Sequence, residues 1–389
     1  MAKVKFGDVV KEVKNKIDRN NNPYEFYVAG DHMDTDSLSI PRKGSFLTDD
    51  VGPAFIREFK KGQVLYGSRR TYLRKVAVAD FDGVTANTTF VLETKDENVL
   101  RQRLLPFIMY TEGFTAWSIK KSRGSTNPYV LFKDLADYEF DLPSIKEQDK
   151  LAEVLWSINN TLQAYQKLLT ETDALVQAQF IEMFGDPIEN PMKWPIKNLS
   201  ALGTCKNGMN FSSKEQGIAI RCVGVADIKD YNYIESIDNL TLLSLNEKPS
   251  EEYLLRDGDI VFVRSNGNKD LVGRCVAVYP GDIPVTFSGF CIRFRKESED
   301  VLLDYLLRLL KLPGIRAKMA GRGANIQNLN QKILASLSVP IPPKSLQETY
   351  IQITRQSDKV KSTLRNTTIS LQATKRCILD DALGTGRKE

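Results

Sequence analysis

The chain states one pattern twice, at a separation of about 200 residues. RGSTNPYVLFKDLADYEFDLP begins at Arg123, RGANIQNLNQKILASLSVPIP begins at Arg322, and the two align without a gap. Arg-Gly opens both, Leu135-Ala136 answers Leu334-Ala335, Phe140 and Leu142 answer Val339 and Ile341, and a proline closes both. Upstream, KKGQVLYGSRR around Gly62 pairs with RDGDIVFVRSN around Gly258, and each reads as a strand introduced by a glycine turn. Few residues are identical, so the repetition is one of order and pattern, and a fold for one half must serve for the other.

Each copy ends in a long heptad helix. After Pro143, positions 151, 155, 158, 162, 165, 169, 172, 176, 179 and 183 are apolar in eight cases of ten; after Pro343, positions 346, 350, 353, 357, 360, 364, 367, 371, 374 and 378 are apolar in seven of ten. Steps of four and three sustained over more than four heptads are a coiled-coil signal. Gly185 and Gly384 follow as stops. Amphipathic helices packed on their own domains are the alternative, but roughly 40 residues at about 1.5 Å rise make some 60 Å, long for that purpose. The first helix carries three Lys/Arg against six Asp/Glu over residues 144–184, and the second seven against four over 344–383. Opposite net charge favours pairing with each other, as one antiparallel spine with Leu151, Leu155, Ile158, Leu162, Leu169 and Val176 facing Ile353, Val360, Leu364, Leu371 and Ile378.

The segments before the helices alternate short strand-like runs (YEFYVAG, QVLYGS, KVAVADF, TTFVLE; then IAIRCVGV, DIVFVRS, GRCVAVYP, GFCIRFR) and then turn helical near LRQRLLPFIMYTEGFTAWSIKK and EDVLLDYLLRLL. That order indicates α+β and not a parallel βαβ sheet. GDPIENPMKWP, from Gly185 to Pro195, marks the boundary with three prolines. At 42% hydrophobic and 26% charged residues the composition is globular, and a net charge of +5 is compatible with a polyanion partner without requiring one. The opening MAKVKFGDVV lacks a signal-peptide apolar region and no apolar run is long enough to cross a bilayer, so the expected location is the cytoplasm, with no membrane partner.

Catalytic and metal chemistry find little support. The five cysteines (Cys205, Cys222, Cys275, Cys291, Cys377) never take CxxC spacing, and His32 is the one histidine, which leaves no zinc set and no disulfide framework. His32 itself, in GDHMD, reads as a loop residue. Neither GxxxxGK[ST] nor GxGxxG after a strand occurs. Asn22-Pro23-Tyr24 and Asn127-Pro128-Tyr129 resemble the [ND]PP[YF] signature of amino-methyltransferases but lack its second proline, and turn chemistry explains them. Asp257 and Asp259 flank a glycine turn without the spaced lysine of a metal-dependent nuclease.

Basic and polar residues gather instead at equivalent places in the two copies. The first offers Arg69, Arg70, Tyr72, Arg74 and Lys75; the second offers Arg264, Ser265, Asn266, Asn268, Lys269 and Arg274. Lys120, Lys121 and Arg123 precede the matched segment in one copy, as Lys318 and Arg322 do in the other. Arg and Lys supply phosphate contacts and guanine readout, and Asn can read adenine. Either cluster alone could be a solvated turn; together they favour nucleic acid.

The repeat, the LP-x-x-x-EQ pattern at Leu142 to Gln148, the MFGDP run at Met183 to Pro187 and the two heptad helices resemble the specificity (S) subunit of type I restriction–modification systems, over nearly the whole chain. The second copy departs in reading SLQET from Ser345 to Thr349 with one extra residue before it. The resemblance implies an α+β fold of two target recognition domains of similar topology, separated by two long antiparallel coiled-coil helices about a pseudo-twofold axis. The partition is 1–142 for the first domain, 143–184 for the central spacer helix, 185–342 for the second domain, 343–384 for the second spacer helix and 385–389 for a tail. It also implies a non-catalytic reader of a bipartite target in double-stranded DNA, docking two methyltransferase subunits and, in the cleaving complex, restriction subunits. No cofactor is expected in this chain; S-adenosylmethionine (SAM) belongs on the methyltransferase partner. A stand-alone DNA-modifying or nicking enzyme and a protein-only scaffold are the competing readings.

Overall fold

The computed structural model describes residues 2–212, 216–229, 231–319 and 328–383. They fall into two compact units: Met1–Leu168 with Thr363–Glu389, and Leu169–Ser362. The long helices are Ile145–Phe184 and Lys344–Leu383, each of 40 residues, and both units take a part of each. Gly384 and the 385–389 tail lie outside the described residues. Gly185 stops the first helix, with φ +76° and its N–H donating to the Ile181 carbonyl at 2.8 Å.

The two units repeat one strand order. In the first, a four-stranded antiparallel sheet runs Val10–Val13, Thr89–Thr94, Val64–Gly67, Val76–Val78. In the second, the same course runs Gly203–Asn207, Cys291–Lys296, Asp259–Val263, Cys275–Val278, with Tyr233–Ile234 added at the edge. A second sheet in each unit sets one parallel pair, Phe26–Val28 beside Gly83–Ala86 and Ile218–Val223 beside Val285–Phe287. The central strand DIVFV (Asp259–Val263) is buried along its whole length, so its apolar run is continuous where a half-exposed strand would alternate. Gly62 and Gly258 introduce the matched central strands with φ +90° and +84°, the left-handed turn that favours glycine.

Each long helix is seated by a buried glutamine. Gln148 Nε2 donates to the carbonyls of Val99 and Pro143, both at 2.9 Å, while its Oε1 accepts the Arg101 N–H at 2.9 Å. Gln347 Nε2 donates to Asp300 (3.3 Å) and Pro342 (2.8 Å), and its Oε1 accepts the Leu302 N–H at 2.8 Å. The two glutamines are 199 residues apart, as are the first residues of the helices, Ile145 and Lys344. The apparent extra residue of the second copy is therefore not an insertion. SIKEQ aligns with PKSLQ, because the glutamine, and not the run of letters around it, is what the fold matches.

Within each unit the helices run antiparallel. In the first, Ala152 and Leu155 share a core with Leu379 and Leu383, and Lys375 donates to Asn159 Oδ1 at 3.3 Å. In the second, the Tyr350 hydroxyl donates to the Val176 carbonyl at 3.1 Å and Lys361 Nζ reaches Asp173 Oδ1 at 2.6 Å. Leu155, Leu169 and Val176 are buried, while Leu151, Ile158, Leu162, Ile353, Leu364, Leu371 and Ile378 are half-buried. Val360 departs from expectation: it is 48% exposed, and Lys361, at 4%, takes the inward position. On the first helix Asn159 likewise turns inward in preference to Ile158. An apolar-only heptad misses these layers because their inward residues are polar and paired.

Burial over the Phe107 and Tyr110 rings (5.5 and 5.3 Å) pushes the Lys375 ammonium down to about 8. The unfolded chain still holds that proton up to about pH 10.4, so it binds more protons than the folded one in between, and stability rises with pH over that window. Denaturant titrations at pH 7.5 and 9.5 should show this rise in the native chain and a smaller one in Lys375→Met. An equal rise in both would exclude this ammonium as its source.

Candidate nucleic-acid interface

In both units a loop leaves the central strand, makes a short 3₁₀ turn (Thr71–Leu73; Lys269–Leu271) and returns as the next strand. A residue of the downstream matched segment pins it: Val130 N–H donates to the Ser68 carbonyl at 2.9 Å, and Leu329 N–H to the Arg264 carbonyl at 2.9 Å. Val130 and Leu329 are again 199 residues apart, so the sequence repeat and the loop geometry coincide.

The first loop brings together clusters that the sequence keeps apart. Arg70 N–H donates to the Pro128 carbonyl at 2.6 Å, its Nε reaches Asn127 Oδ1 at 3.3 Å, and the Arg69 guanidinium lies 5.9 Å from the Tyr129 ring. The second NPY triplet is thus a brace for the basic loop. The first closes a local turn, with Tyr24 N–H donating to Asn22 Oδ1 at 3.0 Å. Arg123 pairs with Tyr129 through backbone bonds and holds Asp134 at 2.8 Å. Lys120 is exposed, and Lys121 lies 4.7 Å from the Trp117 ring. Arg70 and Tyr72, both exposed, stand at the tip; Arg70 and Arg74 bound the turn in left-handed conformation at φ +50° and +48°. Non-glycine residues held there cost of order 1–3 kcal/mol each, and such strain clusters at working loops.

Arg74 and Lys75 are engaged with residues distant in sequence. Arg74 donates to the Tyr110 carbonyl at 2.9 Å and pairs with Asp36 (2.7 Å) and Glu112 (3.2 Å). Arg376 of the second long helix closes on the same Glu112, and these guanidiniums hold its carboxyl below the usual range, Arg376 most strongly. Lys75 donates to the Gly30 carbonyl. Their partners lie 30 or more residues away in sequence, beyond any local pattern.

In the second unit Arg264 Nη1 donates to the Gly289 carbonyl at 3.2 Å, and Ser265 N–H reaches the Phe290 carbonyl at 3.4 Å. Asn266 Oδ1 accepts the Asn268 N–H at 2.8 Å and Asn268 Oδ1 accepts the Asp270 N–H at 3.0 Å, so both act as turn formers. Each oxygen keeps a second lone pair, so the turn orients these side chains without exhausting their capacity to accept. Lys269 and Lys318 are exposed, and Arg274 Nε donates to the Asp270 carbonyl at 3.3 Å. Arg322 lies outside the described residues. Arg316, not anticipated, clamps the turn through the Asp270 carbonyl at 2.7 Å. Phe290, 61% exposed, and Tyr129, 39% exposed, also border the loops; the only sequence signal for them was an aromatic beside the matched runs.

Asp259 and His32, weighed above for catalysis, make bonds within the fold. Asp259 is buried and accepts two bonds from Arg295, at 2.8 and 2.6 Å, and His32 Nδ1 accepts the Ala29 N–H at 3.2 Å. Among the described residues no three His, Cys, Asp or Glu side chains stand close enough to hold a metal ion.

Residues 1–171 and 191–373 both match the type I restriction modification DNA specificity domain. The chain belongs to that family. It is 26% identical over 144 residues to the type I restriction enzyme EcoDI specificity subunit of Escherichia coli (37% of this chain, 31% of the relative). It is 28% identical over 203 residues to the StySPI specificity subunit of Salmonella potsdam (49% and 42%). These matches span less than half the length of either relative. The crystal structure of a type I restriction–modification system S subunit from M. genitalium shares the fold, with TM-score 0.57 at 16% identity over 99% of this chain and 96% of that one.

Arg74 anchors this loop of the family domain and Arg70 stands at its exposed tip. Arg74→Gln should therefore lower unfolding stability by about 1–3 kcal/mol, the cost of stranding bonded partners, and Arg70→Gln by no more than about 0.5 kcal/mol. Urea denaturation of the two variants decides it; equal losses would place Arg74 outside the anchor.

Proposed function

We propose that this chain is the non-catalytic sequence-reading subunit of a type I restriction–modification complex. Each unit reads one half of a bipartite target in double-stranded DNA. The observation that carries this is the matched pair of basic loops, each pinned by the equivalent residue of its own family-domain copy. Matched scaffolds carrying unlike side chains suit a split, asymmetric word: backbone and Arg/Lys contacts set position, and the variable tip sets sequence.

The helices serve as spacer between the two half-words and as docking surface for two methyltransferase subunits. Those subunits hold SAM and modify adenine, and restriction subunits join when the complex cleaves. This chain supplies the address alone, and its place of work is the cytoplasm, where the DNA is. Separate roles fit the residues present, since the carboxylates that flank the Gly258 turn include Asp259, which is engaged by Arg295.

Glutamine at Arg69, Arg70, Arg264 and Lys269 together should weaken duplex binding and flatten its dependence on salt, by about 0.9 in log–log slope for each phosphate no longer neutralised. Binding titrations from low to physiological salt measure it. An unchanged affinity and slope would favour a protein-only scaffold, and SAM-dependent adenine methylation by the purified chain alone would contradict the assignment outright.

A further inference from the structure

We infer that Phe290 is a sequence-determining contact of the second unit, an aromatic wedge against a base step of the DNA. The inference rests on the DNA-reading function proposed above and names a residue and a mode of contact within it.

Three observations carry it. First, several polar groups of this loop are oriented by bonds within the protein: Arg264 on the Gly289 carbonyl, the Oδ1 atoms of Asn266 and Asn268 on backbone N–H groups. Second, Phe290 is 61% exposed, unusual for a phenylalanine in a unit whose Phe262, Phe287 and Phe294 are fully buried. Third, the ring stands on fixed backbone. The Phe290 carbonyl accepts Arg264 N–H at 2.8 Å, and its N–H donates to Ser288 Oγ at 3.3 Å. A Cβ on the preceding Gly289 would fall 2.0 Å from Asn210 Oδ1, so the turn is closely packed.

The corresponding place in the first unit is Thr88, whose carbonyl accepts Ser68 N–H at 3.1 Å as Phe290 accepts Arg264. One scaffold position thus presents a half-buried hydroxyl in one unit and an exposed ring in the other. An apolar ring beside basic groups is suited to partial insertion between bases, where it pays an unstacking cost that depends on the step, and so reads sequence through deformability.

Selection from a pool of random duplexes by the full chain tests this. The native chain should enrich a two-part word. Phe290→Ala should relax one or two positions in one part only, lower preference for the selected word over random duplex roughly tenfold, and leave the salt slope unaltered. Phe290→Tyr should restore the word. Both parts unchanged in Phe290→Ala, or a salt slope that falls with affinity, overturns the wedge while leaving DNA reading intact. No enriched word for the native chain overturns DNA reading itself, and the wedge with it.

Discussion

The seam between the two long helices carries one buried lysine, Lys361, and one half-buried, Lys375, and their partners constrain how these helices can pair. Lys375 meets Asn159 in one unit; Lys361 meets Asp173 in the other, with Asp358 at 3.5 Å. Asp358 also accepts from Asn232 at 3.0 Å and pairs with Arg308, tying the helix to the core of its unit. Such pairs add little net stability over an apolar core of the same shape, and solvent screens the half-exposed Asp173. Their value is discrimination. Asn159 and Asp173 are fourteen residues apart, as are Lys361 and Lys375, so the two layers demand one register. A slip of one heptad would set Lys361 opposite Phe180 or Gln166, leaving its ammonium without the carboxylate of Asp173.

On that frame, repetition and divergence are divided cleanly. What recurs is backbone: the strand order, the glycine turns at Gly62 and Gly258, the glutamines that seat the helices, and the Val130 and Leu329 N–H groups that hold the loops. What differs is the side chains on the loop surface, with Arg70 and Tyr72 at one tip and Phe290 beside the other loop. A scaffold that fixes loop position without fixing loop chemistry suits the two-part reading proposed above.

Much of this was legible in the sequence. The repeat, the α+β order and the two long helices follow from strong patterns: glycine at a left-handed turn, apolar residues at heptad spacing, and proline just before each helix. The inward faces of the helices were legible only in part, because Asn159, Lys361 and Lys375 are polar residues made buriable by partners on the other helix or in a domain core. The basic loops were found, but not the division of labour inside them. Arg74 is an anchor because of Asp36, Tyr110 and Glu112, and Asn127-Pro128-Tyr129 is a brace because of Arg69 and Arg70. Those partners are distant in sequence, and no composition rule links them.

The most direct test of the whole account is to shorten both helices by one heptad between the lysine layers, deleting residues 160–166 together with 362–368. Both seam pairings and both ends of the helices are kept, while about 10.5 Å of rise is removed. Mapping the duplexes bound by this variant should recover the same two half-words with the gap between them altered by about three base pairs, at some 3.4 Å each. The same half-words at the original gap would contradict the account, because the helices would then not set the distance at which the two units read.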